Sequence, residues 1–552
     1  MNRNAMPTTP MATSDCSHPV LAHFPHRILL LVMVVAASMS LLCALGVGLW
    51  ITPTSLEYLE LTDHVRKIGD LNHELFLLRP PGYPLMLAGC IALFGTGSGI
   101  ALLAIQHAMT IATAAFVSAT GWHLTRRRDV MLMAGLSCAT SLQVLSYANQ
   151  VMVETPYLFA VTMTVYFLLR SLRSESAHDL AYASASAGLA YLFRPIGITL
   201  PVFCVFVAAY VAGYPKRNRR RADWTFPPLN AGTRVGGRRG VRLVVAAAVP
   251  AGMMVGAWFV QNQMAYGASS FTRCLDFALY NRFVYVERAT AKGNAALSEI
   301  LSVVDEAKRL GRMETSADEG LAWTVWKAYE GTRGSTLNES SAVLGRAALD
   351  ALDDDPRGVA LQTLRYAAWM LLTPDSSYRY VPGGSPGEHG RRDPTAEVFD
   401  SAMYAKVHAP VIANLWPEFH ARSTPTALSA PWASAARVFY RQVERAGPRI
   451  GPIGSWYELG VVVCVLGGAW SVCSTRRAGW LVVGGVIAMQ ILPSAFLAGV
   501  GPRYAVPVQP LLQLCGALIL CDAARGFCWS LRAACTIGRA ARLGCGGAPA
   551  RG

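Results

Sequence analysis

Apolar runs of roughly helix-spanning length recur from one end of this chain to the other, and they constrain its fold more than any other feature. The first, Ile28 to Trp50, follows a tail of residues 1–27. Further runs cover 98–121, 130–148, 153–170, 178–193, 196–214, 241–263, 455–473, 479–499 and 504–524. At 1.5 Å rise per residue, a helix of about 20 residues crosses the hydrocarbon core of a bilayer. The chain therefore reads as an α-helical polytopic membrane protein with about ten transmembrane helices. Composition agrees: only 15% of the 552 residues are charged and mean hydropathy is +0.33, whereas soluble proteins carry about 25% charged residues. The first run is longer than the apolar region of a signal peptide and lacks a small-x-small cleavage pattern, so it reads as a retained anchor.

The basic clusters orient these spans. Arg126–Arg128 follow the second, Arg170 and Arg173 the fourth, and "YPKRNRRR" (214–221) the sixth. "GGRRGVR" (236–242) precedes the seventh, Arg476 and Arg477 follow the eighth, and an arginine-rich tail follows the tenth. With a cytoplasmic N-terminus every cluster falls inside, as the positive-inside rule requires. Much of the formal charge of +15 is thereby explained without nucleic acid as a partner. The agreement holds only if the short apolar run 83–95, after "RPPGYP", does not cross. That stretch is expected at the outer interface or as a dip and return, which is tolerated where protein or a wet cavity surrounds it.

The expected organisation is a cytoplasmic tail (1–27), a membrane region (28–263) with a first outer loop at 51–97, and a large outer region (264–454). The last membrane helices (455–524) and a second cytoplasmic tail (525–552) follow. Helical patterning fills "SSAVLGRAALDALDDDPRGVALQTLRYAAWMLL", and "VPGGSPGEHGRRDP" (381–394) breaks it. Most of the thirteen cysteines lie in apolar runs and none forms a Cys-x-x-Cys pair, which argues against zinc knuckles and redox motifs. Cys274 is outside, without an evident disulfide partner.

Ionisable residues then collect at the outer helix ends: Glu57, Tyr58, Asp63 and His64 in the first loop, Arg79 at its corner, Glu154, Arg194 and Arg503. Charge at membrane depth is costly and faces a cavity or a partner. Each has a plain alternative: Glu57 as a solvated loop residue, the arginines as snorkelling anchors, Glu154 as a helix-start residue before Pro156. Three arginines beside prolines on one face nevertheless resemble an anion-binding rim, since guanidinium presents a planar fork suited to phosphate. His64 and His73, flanked by Asp63 and Glu74, match no standard ligand spacing. No cofactor is expected, and a divalent metal is left open. Asn338-Glu339-Ser340 fits the glycosylation acceptor pattern. Trp50, Trp258 and Trp456 read as interfacial belt residues.

In order along the chain, "SLEYLELTDHVRKIG", "RPPGYPLMLAGCIALFG", "VETPYLF", "LFRPIGITLP", "WFVQNQMAYGASSFT" and "GPRYAVPVQPLLQL" resemble motifs of GT-C integral-membrane glycosyltransferases. The likeness is to bacterial protein mannosyltransferases and the lipid A aminoarabinose transferase. It implies a GT-C-like fold that transfers a sugar from a polyprenyl-phosphate donor to an envelope glycan, lipid or protein on the outer face of the bacterial inner membrane. Protein glycosylation and lipopolysaccharide modification both fall within that class. By this resemblance Glu57, Asp63 and Glu154 are the candidate catalytic carboxylates. Arg79, Arg194 and Arg503 would hold the donor phosphate, and Tyr58, Tyr83 and Tyr504 would contact substrate. One departure stands out. The family's Gly-Asp-Ser-x-x-Tyr-Leu pattern puts Thr54 where an aspartate belongs, and threonine cannot act as a carboxylate base. Either Glu57, the favoured base, or Asp63 has taken the role, or this chain is a catalytically altered envelope protein. A transporter or flippase of lipid-linked sugars is the rival class. It would show repeat symmetry and broken mid-membrane helices, which the sequence lacks.

Overall fold

The computed structural model of the chain describes residues 24–49, 53–174, 176–213, 237–268, 270–286, 293–312, 322–372, 477–498 and 508–544. All regular structure among them is helical. The expected span 455–473, the break at 381–394, Trp50, Trp456, Arg503 and Tyr504 lie outside the described residues.

The anchor is α1 (His26–Val47). In the first loop come α2 (Pro53–Ile68), a 3-10 turn at Glu74–Leu77 and α3 (Gly82–Phe94). At 13 residues, α3 is about 20 Å long, too short to cross. A turn at Gly95–Gly97, with Gly95 at φ 51°, folds it back on α4 (Ser98–Thr125). Tyr83 at the start of α3 meets Gln106 two turns into α4, so the two form a hairpin.

One expected span is broken. Residues 130–148 form α5 (Arg128–Ala139) and α6 (Leu142–Ala148), neither of spanning length. The break is local chemistry: the Ser141 side chain accepts from the Val144 N–H as an N-cap and starts a new helix. Beyond it, α7 (Glu154–Ser174), α8 (Ala177–Phe193), α9 (Thr199–Gly213) and α10 (Arg238–Tyr266) follow the sequence boundaries closely.

Small residues let α8 and α10 approach closely. Ser184 and Gly188 are four apart on one face of α8, and a methyl on Gly188 would lie 3.1 Å from the Ala251 Cα. Pro250 interrupts the ladder of α10, and the neighbouring Ala251 N–H donates to the Ser184 hydroxyl at 3.1 Å. Helix–helix contact thus repairs the backbone where proline disturbs it.

Beyond α10 come α11 (Cys274–Tyr280), a π-helical turn at Asn281–Val286, α12 (Ala295–Arg309), α13 (Ala322–Arg333), α14 (Leu337–Asp354) and α15 (Pro356–Leu372). Leu297, Ile300, Val304 and Ala307 recur at helical spacing on α12 and are buried against α13 and α14. A capping box on Thr336 and Glu339 starts α14. These helices pack on the 3-10 turn of the first loop, so loop and outer region share one core. Trp258 belongs to that core, buried edge-on against Phe76 at 5.9 Å; it is not a lipid-facing belt residue. Two further membrane helices, α16 (Arg477–Ala498) and α17 (Gln509–Gly544), join the main membrane core.

Candidate active site

The first wall of the site is α2. Leu56, Leu59 and Leu61 bury its apolar side, and Glu57 is carried inward with them to 1% exposure. A buried carboxylate needs a counter-charge. Arg79 supplies it: its Nε donates to Glu57 Oε2 at 2.6 Å. Burial opposes the Arg79 charge, and the Glu57 carboxylate outweighs it, so the guanidinium is held firmly protonated. Arg79 also lies over the Tyr58 ring at 5.8 Å, and Tyr58 packs edge-on against Tyr83 at 5.1 Å.

The Pro80-Pro81 corner makes this possible. It turns the chain from the 3-10 turn into α3, with φ preset by the proline rings. A Cβ on Gly82 would sit 2.6 Å from the Leu192 carbonyl oxygen, so only glycine lets the corner press against the end of α8.

The second wall joins α7 and α8. Glu154 opens α7, and Arg194 follows α8 as its C-cap. Arg194 Nη1 lies 3.6 Å from Glu154 Oε1, and the guanidinium sits over the Tyr157 ring at 5.5 Å. The Tyr157 hydroxyl bonds Gln490 of α16, whose Nε2 donates to the Thr199 hydroxyl at 3.1 Å. The other oxygen of Glu154, Oε2, is buried and has no hydrogen-bond partner among the described residues. Glu154 therefore does not use that oxygen to cap its own helix.

Tyr58 stands between the walls. Burial pushes its phenol well above the usual range; Arg79 and Arg194 act against that, Glu154 and Glu57 with it. All four charges thus act on one ring. Cys274, the first residue of α11, feels Arg79, Glu57 and Arg194 as well, and burial pushes its thiol up. It is a free cysteine at the edge of the charged cluster.

A clasp on α4 fixes the distance between the walls. Gln106 is fully buried; its Oε1 accepts from the Tyr83 hydroxyl at 3.0 Å, and its Nε2 donates to the carbonyls of Ala148 and Gln150, both at 2.9 Å. Next to it, His107 Nε2 lies 3.1 Å from Asn149 Oδ1. The bend that delivers Glu154 is therefore held by two consecutive residues. Tyr83 is wholly buried and hydrogen-bonded to Gln106, so it supports Tyr58 from behind instead of lining open space.

The segments around the end of α10 and the start of α14 close over this assembly. The Arg273 N–H and Thr272 hydroxyl both donate to the Leu77 carbonyl, at 2.7 and 2.9 Å. The Tyr266 hydroxyl bonds the carbonyls of Leu71 and His73, and Glu74 Oε2 accepts the Leu337 N–H at the start of α14. Asn338 is part of the seam, bonded to Arg273 Nε and the Tyr266 carbonyl and partly buried, which is not how a glycosylation acceptor is presented.

Of the residues expected from sequence, Glu57, Tyr58, Arg79, Glu154 and Arg194 converge. Asp63 does not join them: on α2 it pairs with Lys67 at 2.5 Å, and Lys67 is 60% exposed. The first-loop histidines each face a carboxylate, His64 with Asp70 at 2.8 Å and His73 with Glu60 at 3.4 Å. Among the described residues no three His, Cys, Asp or Glu side chains converge as a metal-binding group. Tyr157, Gln106 and Cys274 are additions that sequence reasoning missed. Tyr157 alone left a signal, sitting one helical turn after Glu154.

Residues 78–226 match the family model described as dolichyl-phosphate-mannose-protein mannosyltransferase. The matched segment contains Arg79, Gln106, Glu154 and Arg194, and it begins after Glu57 and the departure at Thr54. No curated protein matches the chain. Among solved structures, the archaeal oligosaccharyltransferase AglB from Archaeoglobus fulgidus, in complex with an inhibitory peptide and a dolichol-phosphate, is 9% identical with a TM-score of 0.43. That alignment covers 92% of this chain and 51% of AglB, so the chain spans about half the length of that protein. ArnT from Cupriavidus metallidurans bound to undecaprenyl phosphate is 15% identical, with a TM-score of 0.32 over 89% of this chain and 78% of that one.

Proposed function

We propose that this GT-C-like protein is a glycosyltransferase that moves a sugar from a polyprenyl-phosphate carrier to an acceptor at the outer face of the bacterial inner membrane. The acceptor is an envelope glycan, lipid or protein, and the N-terminus is cytoplasmic. One observation carries the reading: two acid–arginine pairs, drawn from four separate segments, meet around Tyr58 in a buried site. Arginines at such a place suit a lipid-linked phosphate, and a carboxylate beside them suits the acceptor's proton.

The pairs divide the work. Glu57 is neutralised by a short bond to Arg79, and it acts as the fixed half of the wall. Arg79 reaches Glu57 through Nε, and its terminal nitrogens are the groups that take the donor phosphate. Arg194 and Glu154 approach less closely, at 3.6 Å. When the phosphate draws Arg194 away, Glu154 stays buried, with its Oε2 unpartnered among the described residues and open to the acceptor hydroxyl. Glu154 is then the base that deprotonates the acceptor as the anomeric carbon gains oxocarbenium character. The arginines stabilise the departing lipid phosphate. Thr54, in the first turn of α2, then needs no acidic replacement within that helix.

The test is sugar transfer and donor binding by purified protein in nanodiscs, with polyprenyl-phosphate sugars as donors. Glu154→Gln is expected to bind donor and fail in transfer. Wild type that binds donor and transfers to no acceptor would replace this reading with transport.

A further inference from the structure

Gln490 is a buried amide near the middle of α16, a helix of mostly apolar residues. A polar side chain in a membrane helix is costly unless it packs inward with its polar atoms engaged. Both ends of Gln490 are used. Its Oε1 accepts from the Tyr157 hydroxyl, and its Nε2 donates to the Thr199 hydroxyl at 3.1 Å. Three membrane helices, α7, α9 and α16, therefore meet on one side chain. Pro493 opens α16 at this place. It has no N–H, so the Met489 carbonyl one turn earlier loses its helical partner. The Thr199 hydroxyl lies 3.4 Å from that carbonyl and 3.1 Å from the Ile196 carbonyl, and it can serve both.

Both partners of Gln490 lead to Arg194. Tyr157 carries the Arg194 guanidinium over its ring at 5.5 Å. Thr199 closes the 3-10 turn Pro195–Ile198, which begins at the residue after Arg194. That turn has no slack. A Cβ on Gly197 would sit 2.6 Å from the Ala190 carbonyl carbon and the Tyr191 nitrogen, so only glycine lets it press on the last turns of α8. Gln490 thus fixes the ring under the guanidinium and the turn that carries the arginine backbone. Tyr157 is fully buried, and a phenol deprived of its acceptor there is driven to turn toward another, taking the platform of the arginine with it.

We propose that Gln490 is a positioning residue: through Tyr157 and Thr199 it aims Arg194 at the donor phosphate. A helix from the C-terminal part of the chain then sets donor affinity without touching the donor. This role rests on the transfer reading, in which Arg194 meets that phosphate.

The experiment titrates the full chain in nanodiscs with polyprenyl phosphate lacking its sugar, and records a thermal midpoint for each variant. Gln490→Met keeps the shape and drops both hydrogen bonds; Tyr157→Phe keeps the ring and drops one. Each is expected to weaken binding about fivefold, the worth of a cation–π contact, and the two together no further. In an Arg194→Ala background neither should change affinity, since both act through that arginine. Equal losses in that background, full additivity, or wild-type affinity in both variants would overturn the proposal. The control, Ser118→Ala, removes a buried bond to the Met131 carbonyl, about three turns beyond Gln106 on α4. It should lower the midpoint and leave affinity alone. A matching loss of affinity there would reduce Gln490 to membrane packing and overturn its positioning role. Arg194→Ala that binds as tightly as wild type would overturn the phosphate assignment, and this proposal with it. A weakened Arg194→Ala beside an unaffected Gln490→Met would overturn this proposal alone.

Discussion

The two acid–arginine pairs of the site use the same chemical groups, and they differ in fit. Glu57 and Arg79 lie 22 residues apart within one loop and meet at 2.6 Å. Glu154 and Arg194 come from two helix ends and meet at 3.6 Å, with one carboxylate oxygen unpartnered among the described residues. Each pair bears the desolvation of a carboxylate that is only 2% exposed. The close pair recovers that loss within the protein, whereas the loose pair leaves part of it outstanding. A polar group left so in a buried place is poised for a ligand. Burial alone therefore does not distinguish the two carboxylates; the quality of the partner does.

The sharpest way to break this comparison is to neutralise each acid in turn. Glu154→Gln should lower the transfer rate about a hundred- to ten-thousand-fold, the usual general-base contribution, with donor binding kept. Glu57→Gln should lose much less. Steady-state transfer kinetics with both variants would decide, and the reverse order would give the base back to Glu57. Stability should rank the pairs the other way. Arg79→Ala takes the 2.6 Å counter-ion from a buried Glu57 carboxylate, at about 3 kcal/mol, while Arg194→Ala removes the 3.6 Å contact to Glu154 and should cost less. Denaturation midpoints in detergent measure both, and adding Glu57→Gln to Arg79→Ala should restore most of the loss.

The corner that presents Arg79 offers a smaller lever. Gly82→Ala places a methyl against the Leu192 carbonyl, and backbone must move, at about 1–3 kcal/mol. Transfer should fall with it, because Arg79 sits three residues away. Asp63→Asn belongs at the bottom of the scale. Its partner Lys67 is 60% exposed, so the change should stay under about 1 kcal/mol and leave transfer intact. A final, weaker effect concerns acid. The Asn72 backbone N–H, then the His64 side chain, hold the Asp70 carboxyl below its ordinary 3.8. Its contribution is complete above that value and disappears as pH falls through the lowered one. Asp70→Asn should therefore flatten the acid limb of a stability–pH curve by lowering the neutral-pH plateau slightly, with stability at the acid end unchanged.

Much of this was legible before any coordinates. The spacing of apolar runs marked out most of the long helices, and the short run 83–95 became α3 of a hairpin. Glu57, Arg79, Glu154 and Arg194 were recognisable as charges stranded at helix ends. Their pairing was not, because partners across 22 and 40 residues leave no periodic trace. Gln106 looked like one polar residue in an apolar helix, and its role emerges only when Tyr83 and the 148–150 bend arrive from both sides. By contrast, the Asp63–Lys67 pair is an i,i+4 spacing and the Ser141 break is an N-cap. Both were readable from local rules.

The clasp formed by Gln106 has a consequence in time. Every residue that joins the two walls (Glu57, Tyr58, Arg79, Tyr83, Gln106, Glu154 and Arg194) lies in the first 194 positions of the chain. Synthesis proceeds at about 5–20 residues per second and N-terminal segments fold first. The charged cluster can thus assemble in the membrane several seconds before Tyr266, Thr272, Arg273 and Leu337 exist to close over it. During that interval the site is an open half-shell whose buried acids already have their arginines. A variant that delays the pairing of Glu57 with Arg79 would expose a bare carboxylate to the insertion machinery at its most vulnerable moment, a defect visible in yield before it is visible in rate.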